Sequence, residues 1–268
     1  MERSIVSEKK ELLIIIPAYN EEKNIEAVLD ALSRLSISDI AQVLVIDDAS
    51  RDDTAKLARE RGVQVITQMC HMGYGNGLQL GYQYAMRHGF TYVIQMDADG
   101  QHDVGNVMKL YERLRTPEEA GEYPDLVLGS RFMTGALEYP VSLAKKAAYA
   151  LFGGMIRMFT GRRITDPTTG LQGLSRKAFT YYAGYGHFDD KYPDANVILQ
   201  MLLLGYRVVE MPAVMHPRRE GVSMHWGLGP VSYMIRMLLS VLAVWIRIRW
   251  LRLDDEECAE GRDDHMVS

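Results

Sequence analysis

Cysteine is scarce in this chain, and its scarcity excludes two classes of protein. The 268 residues include only Cys70 and Cys258, which are too few for the disulfide framework of a small secreted domain. No C-x-x-C pair occurs, so no cysteine zinc site is predicted. The first ten residues are charged and lack the apolar core of a signal peptide. We therefore expect a protein of the reducing cytosol.

Basic charge and the common nucleotide-binding motifs are also lacking. The net charge of -5 and the pI near 5.8 argue against a nucleic-acid-binding protein, whose surface would be basic. The chain has no G-x-x-x-x-G-K-[ST] motif, and the spacing of Gly73, Gly75 and Gly77 is not G-x-G-x-x-G. The sequence therefore excludes a P-loop NTPase and an ordinary dinucleotide dehydrogenase.

Continuous apolar runs alternate with segments of helical periodicity through the first half of the chain. The runs predict buried parallel strands at residues 12–16, 42–46, 63–67 and 92–96. Between them we predict helices, the first with Asn20 as its cap and with apolar residues recurring from 25 to 35. This order predicts one α/β domain, an open parallel sheet with helices on both faces, whose ligands bind beyond the carboxyl ends of the strands.

Polar clusters follow three of these strands: residues 17–21, Asp47-Asp48, and Asp97-x-Asp99-x-Gln101. Each cluster alone also fits ordinary turn and capping chemistry, but together they are better explained as one site. Mg²⁺ and Mn²⁺ prefer oxygen ligands and are often shared between one or two carboxylates and substrate phosphates. Asp97, Asp99 and Gln101 therefore predict a divalent metal site, and an acidic site with a metal suits a sugar nucleotide.

Seven short segments between residues 12 and 223 occur in a recognisable order and spacing. They are Ile16-Pro-Ala-Tyr-Asn-Glu21, Val45-Ile-Asp-Asp-Ala-Ser50 with Asp53-Thr54, Gly73-Tyr-Gly75, Met96-Asp-Ala-Asp-Gly-Gln-His102, Gly129-Ser-Arg-Phe132, Thr165-Asp-Pro-Thr-Thr-Gly170 and Arg219-Glu-Gly-Val-Ser223. The set resembles family 2 glycosyltransferases of the GT-A fold, and within them the polyprenyl-phosphate glycosyltransferases similar to dolichol-phosphate mannose synthase. The resemblance implies a Rossmann-like, mostly parallel central sheet with helices on both faces.

The resemblance also implies roles for individual residues on the donor side. Asp97, Asp99 and Gln101 correspond to the metal and diphosphate site, where Mg²⁺ or Mn²⁺ would stabilise the leaving nucleoside diphosphate. The nucleotide, which is uridine or guanosine diphosphate in similar proteins, would be held by Pro17, Tyr19, Glu21, Asp47, Asp48, Ala98, Arg219 and Ser223.

On the acceptor side, Arg131 corresponds to an arginine that binds a lipid phosphate in the family. Lys145 and Lys146 lie where the family usually has a second phosphate-binding arginine, and lysine lacks its planar fork. Asp194 lies where relatives that use a hydroxyl acceptor hold their catalytic base, although it also fits a helix cap, and both interpretations stay open. A phosphate acceptor needs no dedicated base, because its second pKa is about 6.

Residues 237–246 are apolar except for Ser240 and are flanked by arginines and by Trp245 and Trp250. Ten helical residues rise about 15 Å, half of the bilayer core of about 30 Å, so we predict a helix lying in the membrane interface. The alternative is a core helix packed on the domain. The predicted organisation is a catalytic domain over residues 1–225, an amphipathic interface helix over 226–253 and an acidic, disordered tail over 254–268.

The sequence and the resemblance together predict an inverting, metal-dependent transferase. It would move a sugar from a nucleotide donor to a polyprenyl phosphate, as a peripheral protein on the cytoplasmic face of the membrane. One alternative is transfer to a hydroxyl of a cell-wall or capsular polysaccharide, although the glutamine of the Q-x-x-R-W motif of such synthases is absent before Trp250. A membrane-bound sugar-nucleotide sensor without turnover is another. A homo-oligomer is possible, and the sugar and the nucleotide stay open.

Overall fold

The protein folds around one seven-stranded sheet. The computed structural model describes residues 10–118, 121–136, 143–216 and 229–251. In chain order the elements are β1 (Leu12–Ala18), α1 (Ile25–Ser33), β2 (Ala41–Asp47), α2 (Thr54–Glu60), β3 (Gln64–Thr67), α3 (Tyr74–His88), β4 (Tyr92–Gln95), α4 (Gly105–Leu114), β5 (Leu126–Ser130), α5 (Leu143–Thr160), β6 (Gln172–Ser175), α6 (Arg176–Ala183), α7 (Ala195–Leu203), β7 (Val208–Pro212) and α8 (Gly229–Ile246).

The strand order is β3-β2-β1-β4-β6-β5-β7, and β6 pairs antiparallel with both of its neighbours. The sheet is therefore mostly parallel, as predicted. From β1 the chain first builds outward to β2 and β3 and then returns through α3 to add β4 on the other side of β1. This reversal places a topological switch point between β1 and β4, where α/β sheets form their ligand clefts.

The cleft opens because β1 separates from β4 before it separates from β2. Pairing with β4 ends at Ile15 and Gln95, whereas pairing with β2 continues to Ala18 and Asp47. Pro17 lies in this last stretch of β1. The residues that follow β1, β2 and β4 therefore surround one opening, which confirms that the three polar clusters share an edge of the sheet.

Apolar side chains cover both faces of the sheet. Helices α1 and α4 pack on one face, and α3, α6 and α7 pack on the other, with α5 and α8 packed against α7. The approach of α3 is close: a Cβ atom on Gly81 would lie 2.7 Å from the side chain of Ile15 in β1. A bulkier residue at Gly81 would therefore push α3 away from the strand.

The predicted start of the first helix is wrong. Helix α1 begins at Ile25, and its cap position is Asn24. Asn20 has a φ of 55°, in the left-handed region, and its side-chain oxygen accepts a hydrogen bond from the Arg51 backbone N–H at 2.9 Å. Asn20 thus fixes the turn after β1 against the turn after β2, which is a role in shaping the cleft.

Helix α8 has two different faces. Met237 and Val241 are buried against the domain, as the core-helix alternative required. The opposite face exposes a row of large apolar side chains at helical spacing: Ile235, Leu239, Leu242 and Ile246. Trp250 is also exposed and lies in the π-helical turn Arg247–Leu251 that follows α8. Within the described ranges no helix is long and apolar enough to cross a bilayer. The predicted boundary at residue 225 and the predicted tail lie outside the described residues.

Candidate active site

The two aspartates at the end of β2 shape the side of the cleft next to that strand. Asp48 is 5% exposed, and its carboxylate accepts the backbone N–H groups of Met72 at 2.7 Å and Gly73 at 2.8 Å. The Nδ1 atom of His71 lies 2.8 Å from the same carboxylate. Asp47 is buried and accepts the N–H of Ser50. The pair therefore orders the loop before α3 as well as lining the cleft.

Tyr19 and Glu21, which follow β1, lie beside this loop. The ring of Tyr19 packs on that of His71, with 4.1 Å between the centroids. The backbone N–H of Glu21 donates to Thr54 Oγ1 at 2.8 Å, and its carboxylate accepts a hydrogen bond from Asn24. The structure thus brings together the predicted nucleotide residues Pro17, Tyr19, Glu21, Asp47 and Asp48.

Asp97 lies at the carboxyl end of β4, and three neighbours fix its position. The hydroxyl of Tyr74, the first residue of α3, donates to Asp97 Oδ1 at 2.9 Å. Burial, and then the charge of Asp97, raise the pKa of Tyr74 well above its usual value, so the hydroxyl stays protonated. Gly170 comes so close that a Cβ atom there would lie 3.0 Å from Asp97 Oδ2. Gln95 donates to the Gly170 carbonyl at 3.1 Å and holds that loop in place.

The turn after Asp97 is tied to the segment that follows β7. The backbone N–H of Gln101 donates a hydrogen bond to the Asp99 carboxylate at 3.0 Å. The backbone N–H of Asp97 donates to Nδ1 of the buried His102 ring, also at 3.0 Å. The carbonyl of Gln101 accepts the N–H of His216 at 2.7 Å. The chain then enters residues 217–228, so the predicted nucleotide residues Arg219 and Ser223 lie outside the described part of the chain.

The donor set at this turn fits a divalent cation. Asp97 and Asp99 are only partly buried, and a carboxylate group offers about four lone-pair sites in all. In the described ranges no three or more His, Cys, Asp or Glu side chains are grouped so that they could hold a metal by themselves. Two carboxylates and one amide suit Mg²⁺ or Mn²⁺ that takes its remaining ligands from substrate phosphates and water.

Arg131 lies directly after β5 and is paired with a buried carboxylate. Its Nε and Nη2 atoms donate to the two oxygens of Asp166 at 2.7 and 2.6 Å, and Nη2 also reaches Thr168. The side chain of Asp166 is fully buried. This bidentate contact fixes the guanidinium plane and neutralises its charge. A phosphate bound by Arg131 would share the arginine with Asp166.

Asp194 is the residue immediately before α7, but its side chain makes no capping hydrogen bond to that helix. Its Oδ2 atom instead accepts the hydroxyl of Tyr233, in α8, at 2.7 Å. Asp194 is partly exposed to solvent, but protein atoms enclose most of it. This burial raises the pKa of the carboxyl from 3.8 to about 6. Arg131 lowers this pKa while Asp97 raises it, which places both charges near Asp194.

Comparison with known proteins agrees with this geometry. A model of glycosyl transferase family 2 matches residues 13–182. The chain belongs to this family. The glycosyltransferase is 30% identical to the undecaprenyl-phosphate mannosyltransferase of Micrococcus luteus over 79% of this chain and 86% of the relative. It is 27% identical to the polyprenol monophosphomannose synthase of Mycolicibacterium smegmatis over 79% of each chain.

A solved structure has the same fold. Glucosyl-3-phosphoglycerate synthase from Mycobacterium tuberculosis, in complex with Mn²⁺, uridine diphosphate and phosphoglyceric acid, matches with a TM-score of 0.67. The match covers 88% of the glycosyltransferase and 78% of the synthase, at 20% identity. At this identity the likeness shows the GT-A fold alone.

Three residues of the site were not predicted from the sequence: Tyr74, Asp166 and Tyr233. Tyr74 and Asp166 lie inside two of the recognised segments, Gly73-Tyr-Gly75 and Thr165-Asp-Pro. The segments could therefore have marked these two residues as part of the site, but the sequence does not show which residues they contact. Tyr233 lies outside every recognised segment. The predicted phosphate ligand Lys145 lies in the first turn of α5, and its side chain is outside the described part of the glycosyltransferase.

Proposed function

We propose that the glycosyltransferase moves one sugar from a uridine or guanosine diphosphate donor to a polyprenyl phosphate, with inversion at the anomeric carbon. The two relatives described above carry names of enzymes that act on undecaprenyl phosphate and on polyprenol phosphate. The product would be a lipid-linked sugar that serves cell-envelope glycan assembly on the cytoplasmic side of the membrane.

The donor half of the proposal is supported by the cleft between β1 and β4. Tyr19, Asp47 and Asp48 would hold the nucleoside, and Asp97, Asp99 and Gln101 would hold Mg²⁺ or Mn²⁺ with the diphosphate. The metal, when bound, supplies positive charge to the departing diphosphate. Tyr74 and Gly170 fix the Asp97 carboxylate so that it need not reorganise during the reaction.

The observation that supports the acceptor half of the proposal is the position of the Arg131 guanidinium beside two aromatic rings. The Arg131 guanidinium lies 5.2 Å from the ring centroid of Tyr149 in α5 and 5.6 Å from that of Phe132. Phe152 in α5 packs on Tyr233 in α8. A phosphate at Arg131 would therefore lie at the base of two apolar helices, an arrangement that suits an acceptor with an anionic head and a hydrocarbon tail.

The exposed face of α8 supports binding to a membrane surface. Its row of aliphatic side chains is followed by Trp250, in the π-helical turn after α8, which is 76% exposed and is a residue type favoured at the lipid headgroup level. Leu151 and Met158 of the adjoining helix α5 are also exposed. A helix of this kind would lie in the interface and bring the acceptor side of the cleft to the lipid.

Asp194 favours a second candidate function, transfer to a hydroxyl of a polysaccharide. A hydroxyl must lose its proton during attack, and a carboxylate with a pKa of about 6 is suited to accept it. A polyprenyl phosphate monoanion also carries a proton that Asp194 could accept. The two acceptors therefore differ in how strongly the reaction depends on Asp194.

The test is incubation of the full chain with a panel of sugar nucleotides, Mg²⁺ or Mn²⁺, and undecaprenyl phosphate, followed by mass spectrometry of the lipid. We expect one sugar to be added to the lipid phosphate, with loss of the product when EDTA is added. Asp99→Asn should abolish the product, whereas Asp39→Asn, in the loop before β2 at the other edge of the sheet, should not.

Two other outcomes would replace the proposal. Release of nucleoside diphosphate with unmodified lipid would favour the hydroxyl acceptor. Binding of a sugar nucleotide without turnover on any acceptor would favour a sensor.

A further inference from the structure

Helix α8 reaches into the catalytic centre through its inner face. The side chains of Tyr233 and Ser240 are spaced seven residues apart and point to the same side as the buried Met237 and Val241. Tyr233 donates to Asp194, and Ser240 donates to Asp189 at 3.2 Å. Both acceptors belong to the short segment of residues 189–194 that leads into α7.

Tyr233 stays protonated and is held by packing, so that its hydroxyl donates a hydrogen bond to the Asp194 carboxylate. Burial and the neighbouring Asp194 raise the pKa of Tyr233 far above its usual value, so the phenol keeps its proton. The ring is held edge-on by Tyr192 at 5.5 Å and by Phe152 at 6.4 Å between centroids. The hydroxyl is therefore aimed at Asp194 Oδ2 by packing on two sides.

The same segment also touches the donor side. A Cβ atom on Gly75 would lie 2.0 Å from the Asp189 carbonyl oxygen, and the backbone N–H of Asn76 donates to the Asp190 carbonyl at 3.2 Å. Tyr74, the residue next to Gly75, holds Asp97. Residues 189–194 therefore lie between the inner face of α8 and the first turn of α3, whose Tyr74 holds Asp97.

We propose that Tyr233 is a positioning residue for the transfer reaction, which holds the Asp194 carboxylate in place and makes α8 a working part of the active site. This inference rests on the proposed function, since it takes Asp194 as the group that receives the acceptor's proton. The helix whose outer face suits a lipid surface would thus also set the orientation of that carboxylate.

The charged and titratable groups around Asp194 come from several elements. They are Tyr233 in α8, Tyr74 in α3, Asp97 after β4, Arg131 after β5 and Asp189 in its own segment. The Tyr233 hydrogen bond stabilises the ionised carboxylate, so its removal should raise the pKa of Asp194. The acid limb of the pH–rate profile should then move to higher pH.

The test is Tyr233→Phe, which keeps the packed ring and removes the hydroxyl. We expect kcat for lipid glycosylation to fall by up to about twofold below pH 6, where most of the lipid phosphate still carries its proton, KM for the sugar nucleotide to stay unchanged, and the acid limb of the pH–rate profile to move upward in pH. The matched control is Tyr84→Phe, because the Tyr84 hydroxyl bonds Gln64 at the opposite edge of the sheet. Tyr84→Phe should change neither kcat nor the acid limb of the pH–rate profile.

A double-mutant cycle separates positioning from a general effect on the fold. Tyr233→Phe should have no further effect in the Asp194→Asn background. An equal loss of kcat in both backgrounds, or an unchanged limb in the single variant, would overturn the inference and leave the proposed function intact.

If the wild-type protein adds no sugar to the lipid, the proposed function fails and the contact is still testable. Carboxyl ¹³C NMR titration would then follow Asp194 without turnover. A higher pKa in Tyr233→Phe would support the positioning contact, and an equal pKa in the two proteins would overturn it.

Discussion

Replacing Asp194 by asparagine separates the two acceptor classes and also tests the burial of this carboxylate. Asparagine has nearly the same shape and keeps an oxygen that can accept the Tyr233 hydroxyl. A pKa of about 6 in place of 3.8 means that folding disfavours the ionised form by up to about 3 kcal/mol. Because part of the residue meets solvent, the real figure is smaller.

The sign of the stability change follows from linkage. The raised pKa makes the folded state bind the proton more tightly, so stability is highest below pH 4 and falls as the pH rises to about 6. Asp194→Asn carries no such charge. We therefore expect the variant to be more stable than the wild-type protein at pH 7.5, by up to about 3 kcal/mol, and equally stable near pH 4.

The activity change depends on the acceptor. A phosphate with a second pKa of about 6 is about 90% deprotonated at pH 7, so loss of a proton acceptor affects only the remaining tenth and costs less than about twofold at this pH. A hydroxyl acceptor is never deprotonated at this pH, and loss of its general base costs about 10²–10⁴-fold. With a lipid phosphate the acid limb near pH 6 should also persist in the variant, since the acceptor itself titrates there.

The assay combines urea unfolding at pH 4.5 and 7.5 with kcat on undecaprenyl phosphate from pH 5 to 8. A kcat loss above about 10²-fold at pH 7, in a variant that is at least as stable as the wild type, would refute a role limited to the phosphate proton. A variant less stable at pH 7.5 would refute the assignment of Asp194 as a buried, destabilising charge.

Three further predictions concern other parts of the molecule. Tyr74→Phe removes the hydrogen bond to the Asp97 carboxylate and should weaken Mn²⁺ activation about tenfold in a metal titration with saturating donor. Gly75→Ala should lower the free energy of unfolding by about 1–3 kcal/mol, because the added Cβ atom would clash with the carbonyl oxygen of residue 189. Gly154→Ala in α5 should instead raise the free energy of unfolding by about 0.5–1 kcal/mol, because no neighbouring atom lies within 4 Å of the added Cβ atom. Leu239→Glu should lower binding to anionic vesicles at least tenfold in a sedimentation assay, whereas Tyr123→Glu, at an exposed position before β5, should not.

The sequence was sufficient for the donor half of the sheet because of how that half is built. Strands β1, β2 and β4 are buried, so they leave continuous apolar runs, and a polar residue after each run marks the active edge. The predicted strands at 12–16, 42–46 and 92–96 each lie within two residues of the observed bounds. The polar clusters that follow these strands could therefore be assigned to one site from the sequence alone.

The other half left no such pattern. Strand β6 reads Gln-Gly-Leu-Ser, yet it lies in the middle of the sheet between β4 and β5. Gly173 is closely packed, since a Cβ atom there would lie 3.1 Å from the end of the Leu114 side chain, which would have to shift by a few tenths of an ångström. A four-residue strand with one aliphatic side chain has no hydrophobic period to detect. Its place is fixed by tertiary contacts, which the sequence alone does not display.

The hydrogen-bond partners of the site residues could not be predicted from the sequence, for a related reason. Arg131 meets Asp166 across 35 residues, and Asp194 meets Tyr233 across 39. The sequence alone left Asp194 between a base and a helix cap, and only the distance to Tyr233 shows that its side chain is not a cap. Pairings at this separation follow from the fold and not from local spacing.

The charges collected at the cleft explain why an acidic site can serve two phosphate-bearing substrates. Around Asp97 the structure places Asp99 and Asp194, together with the Arg131–Asp166 pair, whose charges cancel. A nucleoside diphosphate and a lipid phosphate would add further negative charge to this set. A divalent cation bound with the donor would offset the acidic excess, and Arg131, already oriented by Asp166, would meet the phosphate of the acceptor. The binding of donor and acceptor is therefore expected to be coupled through charge, because each substrate phosphate needs a cation that the carboxylates alone do not provide.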